Sequence, residues 1–345
     1  MDFVQKYGLT VGMVLIASFV GNEFKKKFNL EEDTNRKDYD LIKKYILNDS
    51  PLYGFNKPKL WIHSIYDVNA RNWKDFGSRN TEDLNQSYLT YTVKSIIDHC
   101  GDDFHICLID DKSFRKLIPG FDMDVDKMAE PLKSQWREFA MLMLIHTYGG
   151  LLVPNSFICF KSLIEPYNNL TKQNNVFVFE KVNDCCDERQ RKRKDFIPNI
   201  EMMGAKKGTP IIYSLLRQVK QGLSSGHMSE EHKFIGKTPN KLMQLTEEKN
   251  LTVVCGSLIG VKDKNKNPIR IDDLFSNLNQ ICFSEELYGI HVPREEVLKR
   301  NLYNWFAALS HNDVLKTNNN IVRSLKKSLI TAPNQTNEIK SISAL

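Results

Sequence analysis

Residues 134–160 read SQWREFAMLMLIHTYGGLLVPNSFICF, and this stretch decides the fold. Phe139 to Ile145 is an unbroken apolar run, too continuous for a half-exposed helix face. Gly149-Gly150 supplies a helix stop, because glycine takes the left-handed cap conformation without steric cost. Leu151-Leu152-Val153 follows as a short buried strand, and Pro154 ends it by removing a backbone donor. The reading is a buried helix, a tight turn, a central strand and an abrupt strand end.

Upstream, Lys57-Pro58-Lys59 leads into the apolar strand Leu60 to His63. Ser87 to Cys100 reads as a helix with Leu89, Val93, Ile96 and Ile97 on one face, and Phe104 to Ile109 as a second strand stopped by Asp110-Asp111. Strands alternating with helices predict an α/β domain with covering helices on a largely parallel sheet. Ligands in such sheets bind at the carboxyl ends of the strands. His63-Ser64, Asp110-Asp111 and Asn155-Ser156 all fall there.

The apolar helix running into Tyr148-Gly149-Gly150 and a hydrophobic strand resembles the core of glycosyltransferases with a DXD sugar-binding region, above all the capsular-polysaccharide-synthesis proteins. The resemblance implies an α/β, nucleotide-diphospho-sugar transferase-like (GT-A-type) mixed sheet flanked by helices. It also implies a divalent metal, held by two aspartates just after the strand, that bridges the nucleotide diphosphate. The matching positions here are Pro154, Asn155 and Ser156, so both acids are missing. The family's Ser-Asp pair falls on Arg137-Glu138 and its following arginine on Met141, leaving Glu138 as a carboxylate for a ribose or sugar hydroxyl. Trp61-Ile62-His63 is similar to the family's first core strand, and His291 to a late-strand histidine near the diphosphate. Nucleotide- or sugar-binding candidates are therefore Trp61, His63, Asp110, Asp111, Glu138, Asn155, Ser156 and His291. No metal is expected, and manganese or magnesium would need displaced ligands. Asn199 to Val219 resembles a family strand and turn before a helix, with Thr209-Pro210 as the helix start, and Phe234 to Leu242 its Gly-Pro turn. Leu251 to Ile259 is expected as a strand, Trp305 and Phe306 on a closing amphipathic helix.

The rest of the chain bears on location and partners. At 345 residues with a net charge of +6, composition is that of an ordinary globular protein and does not point to nucleic acid. Seven cysteines without a CxxC pair or zinc spacing read as free thiols. Asp122, Asp124 and Asp126 alternate as in a calcium loop, but Lys127 and Lys133 stand where glycine and glutamate would be required, so a solvated loop is preferred.

Tyr7 to Gly21 carries no charge and spans about 22 Å, short of a roughly 30 Å hydrocarbon layer. Extended from Phe3 to Phe24, with Lys6 snorkelling, it can span, so residues 1–24 are expected to form a single-pass membrane anchor. A buried N-terminal helix is the alternative. Lys25-Lys26-Lys27 after the segment favours a cytosolic main domain. Residues 25–57 read as a linker, 58–316 as the transferase-like domain and 317–345 as a polar tail for protein partners. The basic run Arg189, Arg191, Lys192, Arg193, Lys194 is either a solvated insertion or a contact for anionic lipid headgroups. Two functions stay open. One is a catalytically degenerate, membrane-anchored scaffold, for which assembly of a large-virus particle is a suitable setting; the other is an active metal-independent glycosyltransferase.

Overall fold

In the computed structural model, which describes residues 57–64, 86–129, 132–172, 175–183, 195–224, 251–278 and 280–331, the expected strands lie side by side. The first half runs β1 (Lys59–His63), α1 (Tyr88–Cys100), β2 (His105–Ile109), α2 (Ser113–Leu117), α3 (Leu132–Tyr148), β3 (Gly150–Leu152), β4 (Phe157–Cys159) and α4 (Ile164–Leu170). The second half runs β5 (Val176–Val182), β6 (Phe196–Ala205), α5 (Pro210–Ser224), β7 (Leu251–Val254), α6 (Ile271–Phe275) and β8 (Gly289–His291). Four helices close it: α7 (Arg294–Lys299), α8 (Asn304–Ala307), α9 (His311–Val314) and α10 (Asn320–Thr331). The anchor segment 1–24, nearly all of the linker, the basic run Arg189 to Lys194 and the turn at 234–242 lie outside the described residues. Among the described residues no helix is long and apolar enough to cross a membrane.

Six strands pair in the order β2-β1-β3-β6-β5-β7. β1 is parallel to both β2 and β3, and β5 to β7, while β6 runs antiparallel to its neighbours β3 and β5. The sheet is thus mixed. Side chains alternate across it: Trp61, Cys107, Ile109 and Leu152 join the core formed with α3 and α5. A second core gathers Tyr88 and Tyr91 of α1, Ile158, Ile290, Phe306 and the α10 residues Ile321, Val322 and Leu325. On α3, Phe139 to Leu142 together with Leu144 and Ile145 are all buried, which explains the unbroken run; each such large side chain contributes about 1.5–3 kcal/mol.

The Gly-Gly turn has two distinct requirements. Gly149 has φ +70° and donates its N–H to Ile145 at 2.8 Å, closing α3. Gly150 has φ +110°, and a Cβ there would lie 2.3 Å from the Lys59 carbonyl oxygen. Trp61 locks the same turn, its indole N–H donating to the Gly149 carbonyl at 2.9 Å.

Beyond β3 the chain turns at Pro154, whose carbonyl accepts from Phe157 at 3.1 Å, and leaves the sheet as β4. β4 pairs antiparallel with β8, Phe157 opposite His291. That pairing carries the start of α7 to the end of β3.

Two expectations are corrected. The strand expected over Leu251 to Ile259 stops at Val254, and Gly256–Ile259 forms a 3-10 turn. The polar tail expected from residue 317 carries α10, which buries Ile321, Val322 and Leu325. Trp305 and Phe306 lie on a helix as expected, one turn long, with Phe306 buried and Trp305 46% exposed.

Gly150→Ala is expected to destabilise the chain by about 3 kcal/mol or more, since strain and a backbone clash add. Denaturant unfolding would measure it, and a change below about 0.5 kcal/mol would contradict the turn geometry described above.

Candidate functional site

The ends of β1, β2 and β3 meet around one carboxylate. Asp111, just past β2, is buried. Arg137 grips it with two hydrogen bonds, Nε to Oδ1 at 2.8 Å and Nη2 to Oδ2 at 2.7 Å. Lys133 Nζ lies 3.6 Å from Oδ2. Lys133 and Arg137 are one helical turn apart on α3 and so share a face. From β1, His63 Nε2 stands 3.0 Å from Asp111 Oδ1, and its ring stacks on the buried Phe114 of α2 at 5.5 Å.

Electrostatics follow from this geometry. Burial alone would push the Asp111 carboxyl up, but the hydrogen bonds from Arg137 and His63 override it and hold it well below the usual carboxylate range. His63 is lowered from its ordinary 6.5, chiefly by burial and further by Arg137 and Arg294, against the opposing pull of Asp111. At neutral pH the site therefore holds an ionised Asp111 and a neutral His63 that donates to it.

Asn155 occupies the turn after β3. Its side chain is buried, with Nδ2 3.4 Å from Ser64 Oγ and Oδ1 accepting from Arg294 Nη1 at 3.0 Å. Its backbone carbonyl accepts from Thr92 of α1. Arg294 opens α7 and reaches this point because β8 pairs with β4 and the Val292 N–H donates to the Ser156 carbonyl at 3.1 Å. The exposed Glu295 lies 3.5 Å from Arg294 Nε.

The structure brings together His63, Asp111 and Asn155 of the expected candidates. Ser156 adjoins them but is buried and contributes its backbone. Trp61 is buried in the core, where it bonds the Gly149 carbonyl and packs against Tyr148, so it is a structural residue. Asp110 is turned to its own loop, accepting from the Ser113 amide at 2.8 Å and from its hydroxyl. Glu138 is half-buried on α3, one residue round from the face bearing Lys133 and Arg137. His291 pairs instead with Glu201 of β6 at 3.8 Å, and Glu201 is drawn below its usual range by Lys181, with His291 and Arg294 adding. Lys133, Arg137 and Arg294 were not among the sequence candidates. The i, i+4 spacing of Lys133 and Arg137 is a readable signal; nothing local marks Arg294, 139 residues from Asn155.

The donor set can be tested against the divalent metal that the sequence resemblance implies. A hard cation needs several oxygen ligands, preferably anionic. Here the Asn155 oxygen is taken by a guanidinium, and both Asp111 oxygens are taken by Arg137, with His63 and Lys133 alongside. Among the described residues no group of three His, Cys, Asp or Glu side chains stands together. These residues do not fit a metal.

No family model matches the chain, and no curated protein matches it. Among solved structures it is similar to the PaToxG glycosyltransferase, at 11% identity and TM-score 0.32, over 56% of this chain and 72% of that one. It is likewise similar to the galactosyltransferase LgtC, solved with donor and acceptor sugar analogs, at 9% identity and TM-score 0.32, over 59% and 75%. A third is the 4-diphosphocytidyl-2C-methyl-D-erythritol synthase of Anaerococcus prevotii, at 10% identity and TM-score 0.29, over 61% and 89%. Overlaps this weak assign no activity.

Two outcomes are expected. Asp111→Asn leaves Arg137 and Lys133 without their counter-charge and should cost about 3 kcal/mol in denaturant unfolding; a loss under about 0.5 kcal/mol would contradict the assignment. The folded pKa of His63 lies below its unfolded value of 6.5, so its contribution is complete above that pH and falls as His63 is forced to charge below it. Melting temperature should therefore drop between about pH 7 and pH 5, and His63→Gln should flatten that slope. The corresponding loss from Asp111 begins only below about pH 4. An unchanged slope in His63→Gln would contradict the reading.

Proposed function

We propose that this chain is a glycosyltransferase-like protein in which metal-dependent sugar transfer has been given up and the fold serves as a scaffold. The observation that carries the reading is the Arg294–Asn155 hydrogen bond of 3.0 Å, which sets a guanidinium against the residue lying between the two positions that the resemblance matches to metal-holding acids. The mixed sheet with its strand ends converging on Asp111 and Asn155 supports a transferase-like ancestry. The cations around Asp111 oppose any further positive charge at that site. In this reading residues 1–24 tether the protein to a membrane, the basic run Arg189 to Lys194 meets anionic headgroups, and the role is structural or in assembly, a large-virus particle being one such setting.

A second reading, a metal-independent transferase, draws on the same cations, since basic side chains can offset the charge of a departing diphosphate. One experiment separates them. The purified full chain is incubated with UDP- and GDP-sugars, in Mn²⁺ and in EDTA, and release of UDP or GDP is followed. The scaffold reading expects no release above background in either buffer. Release that requires Mn²⁺ contradicts it outright, and release that persists in EDTA favours the second reading.

A further inference from the structure

Helix α10 has an outer face that the strand-end site does not use. Its sequence, Asn320–Thr331, carries Arg323, Lys326 and Lys327 and no acid. Helical spacing sets these cations opposite the buried Ile321, Val322 and Leu325, and all three are exposed. Arg323 meets only neutral oxygens, those of Asn318, Asn320 and the Asn277 carbonyl. Lys327 lies over the Phe160 ring, and among the described residues neither lysine has a carboxylate within ion-pair distance.

Apolar groups stand singly around these charges. Ile330, one turn beyond Lys326 and Lys327 on the same face, is 69% exposed. At the other end Arg323 grips the Asn277 carbonyl at 2.8 Å, and the next residue, Leu278, is 89% exposed. Phe275 packs edge-on against the half-exposed Trp305 at 6.2 Å. The acids at this end are engaged locally, Asp272 by the Tyr303 hydroxyl and Asp273 by the Arg270 amide. Unanswered cations interleaved with exposed aliphatic side chains fit one kind of partner, a surface that offers negative charge and hydrocarbon together. Lysine is depleted in protein–protein interfaces, and isolated aliphatic groups gain nothing from a phosphate backbone.

We infer that the outer face of α10, with Leu278 and Trp305 at its end, docks on an anionic lipid surface. Arg323, Lys326 and Lys327 meet the headgroups, Ile330 and Leu278 enter the acyl boundary, and Trp305 takes the headgroup level that its ring favours. This face is separate from residues 1–24 and from Arg189 to Lys194; it rests on the reading proposed above only for the membrane setting.

Co-sedimentation with vesicles tests it, using the full chain with Leu15→Lys and Phe19→Lys to disable the proposed anchor. Phosphatidylcholine vesicles containing phosphatidylserine are expected to bind this chain, pure phosphatidylcholine vesicles are not, and binding should fall as salt rises. Lys326→Gln with Lys327→Gln, surface changes that leave the core intact, should weaken binding about tenfold or more. Lys116→Gln on α2, exposed beside the other core, should leave it unchanged. Phosphatidylserine vesicles should shift tryptophan emission to the blue, and Trp305→Phe should remove that shift. No binding by the anchor-disabled chain overturns the inference, as does equal binding to both vesicles or indifference to the paired lysine change. If that change alters self-association or binding of a uridine oligonucleotide but not of vesicles, the partner is protein or nucleic acid and the lipid assignment fails. A wild-type chain that ignores neutral vesicles would sink the anchor alone, and a wild type that binds them beside an inert anchor variant would sink only this face.

Discussion

The carboxylate of Asp111 is the constraint on which the strand-end arrangement depends. A buried carboxylate is tolerable only when its charge is answered and its lone pairs are bonded. Arg137, Lys133 and His63 do this from α3 and β1, so the loop after β2, the end of β1 and the first half of α3 are fixed relative to one another. The same solution sets two cations, Lys133 and Arg137, against one carboxylate. Asn155, whose amide reaches Ser64 at the end of β1, turns its side-chain oxygen to Arg294.

This arrangement separates fold from chemistry in a concrete way. A sheet edge that holds a hard divalent cation offers it uncommitted oxygen ligands, preferably anionic. Here the carboxylate is engaged by Arg137 and the side-chain oxygen of Asn155 faces a guanidinium. Acid residues are present nearby, at Glu201 and Glu295, but each faces a cation of its own, Lys181 or Arg294. Charge is therefore balanced locally by arginine and lysine.

Much of the first half of the fold was legible because its signals are local. Apolar runs of strand length, a glycine pair with two positive φ angles, and a proline after the strand place β1, β2, α3 and β3 within a residue or two. The antiparallel insertion of β6 between β3 and β5 was not legible, since nothing in Phe196–Ala205 states its partners. Helix α10 was hidden by its Asn- and Lys-rich surroundings, although Ile321, Val322 and Leu325 have helical spacing. The site divides in the same way. His63, Asp111 and Asn155 follow from the rule that strand ends carry ligands, and Lys133 with Arg137 was readable from spacing. Arg294 depends on β4 pairing with β8, and long-range pairing leaves no local trace.

Asp111 and Arg137 form one interacting unit that sets the charge of the strand ends. A double-mutant cycle with Asp111→Asn and Arg137→Met, followed by denaturant unfolding at neutral pH, measures that unit directly. A coupling energy of about 2 kcal/mol or more is predicted. Additive losses, with coupling below about 0.5 kcal/mol, would contradict it.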